Sequence, residues 1–292
     1  MNLDWDKYLQ GITPELGERI RGYVLHRSHS WREEECLHHA RSLLSGIISF
    51  FRSVKPTCLQ GITPRIWFTY VEAKMKVGIK PTSLNTTLRT IQSFLRYAQS
   101  NDIAICETLL EVHPLKIGDA LPKDLNVSQI KSLLQAAPAQ MDYGWILLML
   151  HSGLRTCEVR TLHWRDVDMK ARTLRIHESK SGQSRLVFLS PQVIQALDRL
   201  PRNSEYIFTY RDQPLRRRYC QSRLTTIGEK CGFHVTPHQL RHTCATMLLN
   251  AGMSILGVQK LLGHKYVETT LRYARAYDVT VIRDFQNAGD RR

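Results

Sequence analysis

Three stretches in the first part of the chain repeat apolar residues at spacings of three and four, the pattern of an amphipathic helix. They run from Trp31 to about Phe51, from Thr63 to about Val77 and from Pro81 to about Ser100. Thr63 followed by Pro64 is typical of an N-cap with proline at the first helical position. The pattern therefore predicts a small bundle of helices.

The helical periodicity lapses between residues 111 and 127, where two X-Pro pairs bracket Gly118. A lapse of this kind, with proline and glycine in it, indicates a linker. We therefore predict a helical N-terminal domain at residues 1–112, a linker at 113–125 and a second domain at 126–292.

The second domain combines helices with two short strands. Short runs rich in apolar and β-branched residues at Thr173–His177 and Arg185–Leu189 predict two strands of a β-hairpin, joined by a polar segment. Helical stretches are predicted at residues 128–137, 143–152 and 156–162, from residue 190 onward, and at 216–231, 236–250, 254–262 and 269–273. The expected fold class is mainly α with a small β-hairpin or sheet: a helical domain followed by a mixed α/β domain.

The distribution of charge indicates a class of binding partner. The chain holds 41 Lys and Arg against 26 Asp and Glu, a formal net charge of +15. Residues 1–120 hold 15 basic and 12 acidic side chains, whereas residues 121–292 hold 26 and 14. The excess in the second part indicates a polyanionic partner, with nucleic acid the leading candidate. A basic surface that serves only solubility is the alternative.

Other features narrow the class of protein. No stretch approaches the roughly 18 to 20 apolar residues of a membrane-spanning helix, and residues 1–6 lack the pattern of a signal peptide. We therefore expect a cytoplasmic protein without a membrane partner. The 7 cysteines are odd in number and include no C-x-x-C pair, which favours reduced thiols over disulfides or a zinc site.

The predicted helix after Thr236 and Pro237 carries a cluster of chemically active residues. His238, Arg241 and His242 fall at i, i+3 and i+4, so they share one face near the helix N-terminus. A positive cluster at the positive end of the helix dipole suits a phosphate better than a core. Zinc is an alternative, but Gln stands where a metalloprotease helix needs Glu, and a cation lies between the two histidines. Simple capping or packing is the other alternative.

Three further motifs lie in the same domain, and each of them is weak alone. They are G-L-R-x-x-E at 153–158, S-K-S-G at 179–182, and L-G-H-x-x-x-x-T-T-x-x-Y at 262–273. Together with H-x-L-R-H-T-x-A-T at 238–246, and in this order, they resemble the tyrosine recombinase (phage integrase) family. The resemblance covers the whole second domain. The first domain is similar to the family's core-binding domain only in length, helicity and position.

The resemblance implies a set of catalytic residues. The set is Arg155, Lys180, His238, Arg241, His264 and Tyr273, supported by Glu158 and His242. The two arginines would clamp the scissile phosphate, since their planar forks suit its oxygens. The two histidines of the set would add hydrogen bonds or move protons, the lysine would be the general acid, and the tyrosine would be the nucleophile. No metal, cofactor or nucleotide is expected, and no G-x-x-x-x-G-K-[ST] loop is present.

Two details qualify the match. Tyr266 and Tyr277 are rival nucleophiles by residue type, but neither lies nine residues after the L-G-H motif, as Tyr273 does. Cys244 stands where an aromatic residue is frequent in the family, which affects packing rather than catalysis.

The function that the resemblance implies is site-specific DNA recombination through a 3′-phosphotyrosine intermediate, serving integration, excision, transposition or resolution. Expected partners are double-stranded DNA with inverted-repeat core sites, three further copies of the chain in a tetramer, and accessory DNA-bending proteins at the nucleoid. The chain resembles a compact two-domain recombinase without an arm-binding domain. Residues 279–292 suggest a tail helix that docks on a neighbouring protomer or on its own domain.

Other functions stay open at this point. A type IB topoisomerase or a telomere resolvase would use the same chemistry, and a DNA-binding regulator could keep the fold without catalysis. The target sequence, the direction of the reaction and the host element do not follow from the residues, because base readout depends on a few side chains in the groove.

Overall fold

The computed structural model describes residues 3–31, 33–118, 124–177, 184–216 and 218–263. The chain divides into two compact units, Met1–Asp119 and Ala120–Arg292, which we call the N-terminal unit and the C-terminal unit. The boundary falls inside the stretch where the sequence loses its helical periodicity.

Five α-helices form the described part of the N-terminal unit. They are α1 (Trp5–Leu9), α2 (Pro14–Ser28), α3 (Glu33–Val54), α4 (Pro64–Lys76) and α5 (Pro81–Gln99). Three of them begin with proline, whose missing N–H has no partner to lose at that position. The helices meet in a core rich in aromatic rings, each at most 2% exposed: Tyr23, Phe50, Phe51, Trp67 and Phe94.

The helix predicted from Trp31 corresponds to α3, but α2, which precedes it, was not predicted. Ile20, Tyr23 and Val24 of α2 are buried in the aromatic core. The surrounding residues are mostly polar, and Gly17 and Gly22 lower the helix propensity of the segment. Tertiary packing of a narrow apolar stripe therefore forms a helix that the local sequence indicates only weakly.

Two buried amides hold the segment that follows α5. Gln92 Nε2 donates to the carbonyls of Leu109, Leu110 and Val112 at 3.1, 3.2 and 2.9 Å. Asn85 pairs with both backbone groups of Leu115, at 2.9 Å to its oxygen and 2.7 Å from its nitrogen. Side chains of α5 thus satisfy the backbone of a segment without regular structure, as burial requires.

Seven α-helices appear in the described part of the C-terminal unit. They are α6 (Val127–Gln135), α7 (Gln140–Ser152), α8 (Thr156–Arg160), α9 (Pro191–Asp198), α10 (Tyr219–Lys230), α11 (Pro237–Asn250) and α12 (Ile255–Leu262). Helix α7 is the central one, because its residues 144–150 are all buried and it packs on α9 and α11. The predicted helix at 269–273 lies outside the described residues. Among the described helices, none has the length and apolar character to span a membrane.

The hairpin is part of a three-stranded antiparallel sheet in the order β1 (Val167–Asp168), β2 (Thr173–Ile176), β3 (Arg185–Phe188). Leu174 pairs with Val187, and both are fully buried against the helices. The predicted two-strand hairpin was thus incomplete, because β1 has two residues and is too short to display a period of two.

A second small sheet was not predicted. Strands β4 (Thr209–Tyr210) and β5 (Gln213–Pro214) pair antiparallel around a turn at Arg211 and Asp212. Both turn residues have positive φ, 53° and 59°. This is the conformation of a tight hairpin turn, but Arg-Asp lacks the asparagine or glycine that usually signals one.

Candidate active site

The turn between α7 and α8 places the first arginine of the predicted set. Gly153 ends α7 with φ of +61°, and a Cβ there would lie 2.2 Å from Leu262 Cδ2 of α12 and 3.3 Å from Cys244 Sγ of α11. Only glycine permits both this backbone and this close approach. Two residues later, Arg155 is the N-cap of α8, with its side chain 31% exposed.

Glu158 anchors Arg155 from inside the fold. Its side chain is 4% exposed, and it accepts the Arg155 backbone N–H at 2.8 Å and Arg155 Nη1 at 2.9 Å. Burial alone would raise the pKa of this carboxyl, but hydrogen bonds and charge from Arg185, and then from Arg155, lower it. Glu158 is therefore ionised at neutral pH.

Arg241 lies in the core of the C-terminal unit, at 4% exposure. Its Nη1 donates to the carbonyl of Gly153 at 2.5 Å and its Nη2 to that of Leu262 at 2.6 Å. The expectation that this face of the helix avoids the core is wrong for Arg241. Two backbone carbonyls provide the hydrogen bonds that let a guanidinium be buried.

His238 and His242 lie on α11 beside Arg241, with ring centroids 4.2 Å apart. Partial burial, His238 and Arg241 lower the pKa of His242 to about 4. Partial burial and Arg241 also lower the pKa of His238. Both rings are therefore mainly neutral at pH 7, which corrects the predicted positive cluster: its fixed charge is Arg241.

The two arginines converge on the end of α12. Arg155 Nη2 donates to the carbonyl of Gly263 at 2.6 Å, one residue beyond the Leu262 carbonyl that Arg241 contacts. Gly263 ends α12 with φ of +66°. Two cationic side chains more than 80 residues apart in sequence are thus joined through one short piece of backbone.

Sequence reasoning missed one member of this cluster. Arg185, the first residue of β3, binds the same Glu158 carboxylate and the carbonyl of Leu261. A lone arginine at a strand start is indistinguishable in sequence from a surface residue, and Glu158 lies 27 positions away. No local motif marks this contact.

The structure brings together five of the residues predicted from the motifs: Arg155, Glu158, His238, Arg241 and His242. Lys180, His264 and Tyr273 lie outside the described residues, as do the rivals Tyr266 and Tyr277. Their roles stay predictions. Cys244, the departure from the family pattern, is 1% exposed and packs under Gly153.

Within the part of the chain that the structure describes, no group of three or more His, Cys, Asp and Glu side chains is arranged to hold a metal ion. The described cluster consists of arginine N–H donors, two histidine rings, backbone carbonyls and one carboxylate, and its arginines are the groups suited to binding oxyanions.

Comparison with known proteins gives consistent results. The model of the phage integrase family matches residues 123–279. The tyrosine recombinase XerA of Thermococcus kodakarensis is 31% identical over 210 residues, which cover 68% of this chain and 73% of that recombinase.

Two solved structures share the fold. A Tn1549 transposon integrase in complex with a circular intermediate DNA is similar at a TM-score of 0.77 and 18% identity, over 93% of this chain and 98% of that chain. A lambda integrase from a tetramer bound to a Holliday junction is similar at 0.69 and 19% identity, over 86% and 77%. The fold class predicted from the sequence is confirmed.

Proposed function

The chain belongs to the phage integrase family and is a tyrosine site-specific recombinase, and from this premise we propose which residues cut and rejoin the DNA. The proposed nucleophile is Tyr273, which attacks one backbone phosphate of double-stranded DNA. The observation that carries the proposal is the convergence of Arg155 and Arg241 on the Leu262–Gly263 backbone, at the start of the motif that ends in Tyr273.

The two arginines bind the non-bridging oxygens of the scissile phosphate. A guanidinium has five N–H donors in a fixed fork, so it can hold a backbone carbonyl and a phosphate oxygen together. The transition state gathers negative charge on these oxygens, and cations fixed in advance by Glu158 and by the carbonyls of Gly153, Leu262 and Gly263 lower the barrier without reorganisation.

The remaining residues manage protons and hydrogen bonds. Tyr273 gives its phenol proton to His238 or His264 and its oxygen forms a bond to phosphorus, while the bond from phosphorus to the 5′ oxygen breaks and Lys180 gives the leaving oxygen its proton. His238 and His264 also donate hydrogen bonds to the phosphoryl group, and the mainly neutral ring of His238 can both donate a hydrogen bond and accept a proton. His242 supports His238 at its ring contact. The 3′-phosphotyrosine keeps the energy of the broken bond, so rejoining by a 5′ hydroxyl needs no nucleotide, and we propose that no metal takes part.

We further propose the setting of the reaction. Two DNA sites with inverted repeats, bound by four copies of the chain, exchange strands through a Holliday junction in the cytoplasm, with DNA-bending proteins as accessory partners. The lambda integrase tetramer on a Holliday junction supports this arrangement. The outcome is integration, excision, transposition or resolution. The C-terminal charge excess suits a duplex partner.

A non-catalytic regulator is not favoured, because every position of the predicted catalytic set is filled. A topoisomerase would share the adduct but would not exchange strands. A DNA relaxation assay run beside a two-site exchange assay separates these two functions.

The proposed function is tested by trapping the covalent intermediate. We expect the full chain to form a denaturation-resistant adduct with nicked duplexes that carry inverted repeats from the DNA flanking its coding locus. The Tyr273→Phe variant should form none, because it lacks the attacking oxygen, and the Tyr277→Phe control should form it normally. An adduct that survives Tyr273→Phe and disappears with Tyr277→Phe would overturn the assignment.

A further inference from the structure

Arg185 makes three directed contacts from a nearly buried position. Its side chain is 9% exposed. Nη1 and Nη2 donate to the two carboxylate oxygens of Glu158 at 2.8 and 2.7 Å, a bidentate pair, and Nε donates to the carbonyl of Leu261 at 2.8 Å. All three guanidinium nitrogens are therefore used within the fold.

Arg185 also packs against the end of α12. A Cβ on Gly263 would lie 3.1 to 3.3 Å from Nη1, Cδ and Cζ of Arg185, so the side chain fills the space beside this glycine. Three successive carbonyls, of Leu261, Leu262 and Gly263, accept from Arg185, Arg241 and Arg155 in turn. Arg185 thus belongs to the same structural unit as the two arginines proposed to bind phosphate.

The described charges of this unit do not cancel. Glu158 supplies one negative charge to two arginines, and Arg185 takes both of its oxygens while Arg155 shares one. Arg185 contributes more than Arg155 to lowering the pKa of Glu158. With Arg185 present, the carboxylate is largely compensated and Arg155 keeps its electrostatic attraction for an anion. Without it, Glu158 and Arg155 form a neutral pair, which attracts a phosphate less strongly.

We propose that Arg185 is a positioning residue: it compensates Glu158 and fixes the end of α12, so that Arg155 stays oriented and available to the scissile phosphate. This inference rests on the proposed function of Arg155. Arg185 itself does not touch the substrate. It pairs with Ile176 across the hairpin, so it also fixes the end of the strands that flank the segment containing Lys180.

The substitution Arg185→Gln removes the charge, and Arg185→Lys keeps the charge but loses the fork. We expect single-turnover cleavage of a natural phosphate site to fall about ten- to a hundred-fold in Arg185→Gln, the range for one or two charge-assisted hydrogen bonds. The cleavage rate of Arg185→Lys should lie between the rates of Arg185→Gln and the parent. Arg199→Gln, at an exposed arginine that ends α9, is the matched control and should cleave normally.

The decisive readout compares two substrates in one enzyme preparation. The probe is a nicked duplex selected for binding from a random-sequence pool, made once with a phosphate and once with a methylphosphonate at the cleaved position. The methylphosphonate has no negative charge there, so its cleavage depends less on Arg155. We expect Arg185→Gln to lower the phosphate rate far more than the methylphosphonate rate, and we expect the same of Arg155→Ala. The ratio cancels any loss of folded protein.

The outcomes separate the two levels of the argument. An equal fall on both substrates, or no fall on either, overturns the role of Arg185 while the recombinase function stands. If Arg185→Gln lowers the melting temperature but leaves the ratio of the phosphate rate to the methylphosphonate rate unchanged, the proposed role of Arg185 is also overturned. Arg185 would then have only a structural role. If the parent chain forms no adduct with any selected duplex, the proposed function fails and the inference fails with it.

Discussion

Two buried carboxylates of the C-terminal unit hold different numbers of arginines. Asp142, in the first turn of α7, is 0% exposed and accepts from Trp145 Nε1 at 3.2 Å and from Nε and Nη2 of Arg223 on α10. Glu158 is 4% exposed and accepts from both Arg155 and Arg185. Among the residues that the structure describes, the first site pairs one carboxylate with one arginine, whereas the second pairs one carboxylate with two.

This difference separates a structural ion pair from a site that can act on an anion. A buried neutral pair is satisfied within the fold and has no charge left for a ligand. A carboxylate with two arginines orients both cations and cancels one. The burial of the two acids is nearly the same, so burial alone does not distinguish the two sites. The number of arginines that contact each carboxylate distinguishes them.

The largest effect is expected from removing one arginine at each site. Arg155→Ala should lower DNA cleavage about a hundred- to a thousand-fold, because a preorganised cation is lost, and should change the free energy of unfolding by about 1 kcal/mol. Arg223→Ala should leave DNA cleavage nearly unchanged but should lower the free energy of unfolding by about 3 kcal/mol, because buried Asp142 loses its counter-charge.

Single-turnover cleavage and urea unfolding measure the two quantities on the same proteins. The comparison fails if Arg223→Ala lowers cleavage as strongly as Arg155→Ala at a temperature where both variants are folded.

Neutralising the two acids should have a smaller effect on the free energy of unfolding. Here the Glu158 site should lose more than the Asp142 site, the reverse of the order expected for the arginine variants. Glu158→Gln leaves two close guanidinium groups without a counter-charge and should lower the unfolding free energy by about 2 kcal/mol. Asp142→Asn leaves one arginine whose side chain is 33% exposed and can turn to water, so its cost should be nearer about 1 kcal/mol. Urea titrations at pH 7 measure both, and equal losses would contradict the charge count.

The smallest effect concerns the histidines beside Arg241. The pKa of His242 is lowered from 6.5 to about 4, so between these values the unfolded chain binds more protons than the folded chain. The stability that the neutral ring contributes is fully present above pH 6.5 and is lost as the pH falls towards 4. We expect a loss of about 1 kcal/mol between pH 7 and 5, reduced by the partial exposure of the ring.

Unfolding in urea across this range measures the loss. His242→Gln should reduce the slope and leave the part due to His238, whose pKa is also lowered, while His234→Gln, at an exposed position before α11, should leave the slope unchanged. An unchanged slope in His242→Gln would show that this histidine does not contribute to it.

The sequence motifs predicted the part of the site that is local. His238, Arg241 and His242 lie on one helix face, which their spacing predicts, and Gly153 and Arg155 lie within one short motif that the family resemblance singles out. The helices of the C-terminal unit also followed from periodicity and capping within a few residues, because each buries a regular face.

What the sequence could not predict depends on contacts between distant segments. Arg185 reaches Glu158 across 27 positions, and Arg241 reaches Gly153 across 88. Helix α2 and strand β1 are stabilised by neighbours rather than by their own pattern. The buried state of Arg241 follows from carbonyls that only the folded backbone places near it.

The fit around Gly153 has a practical consequence for engineering this recombinase. Libraries that vary residues to change the recognised DNA can hold this position constant, because any side chain there would meet Leu262 and Cys244 and would have to adopt a backbone conformation that favours glycine. Screening effort then goes to positions whose side chains have room to differ.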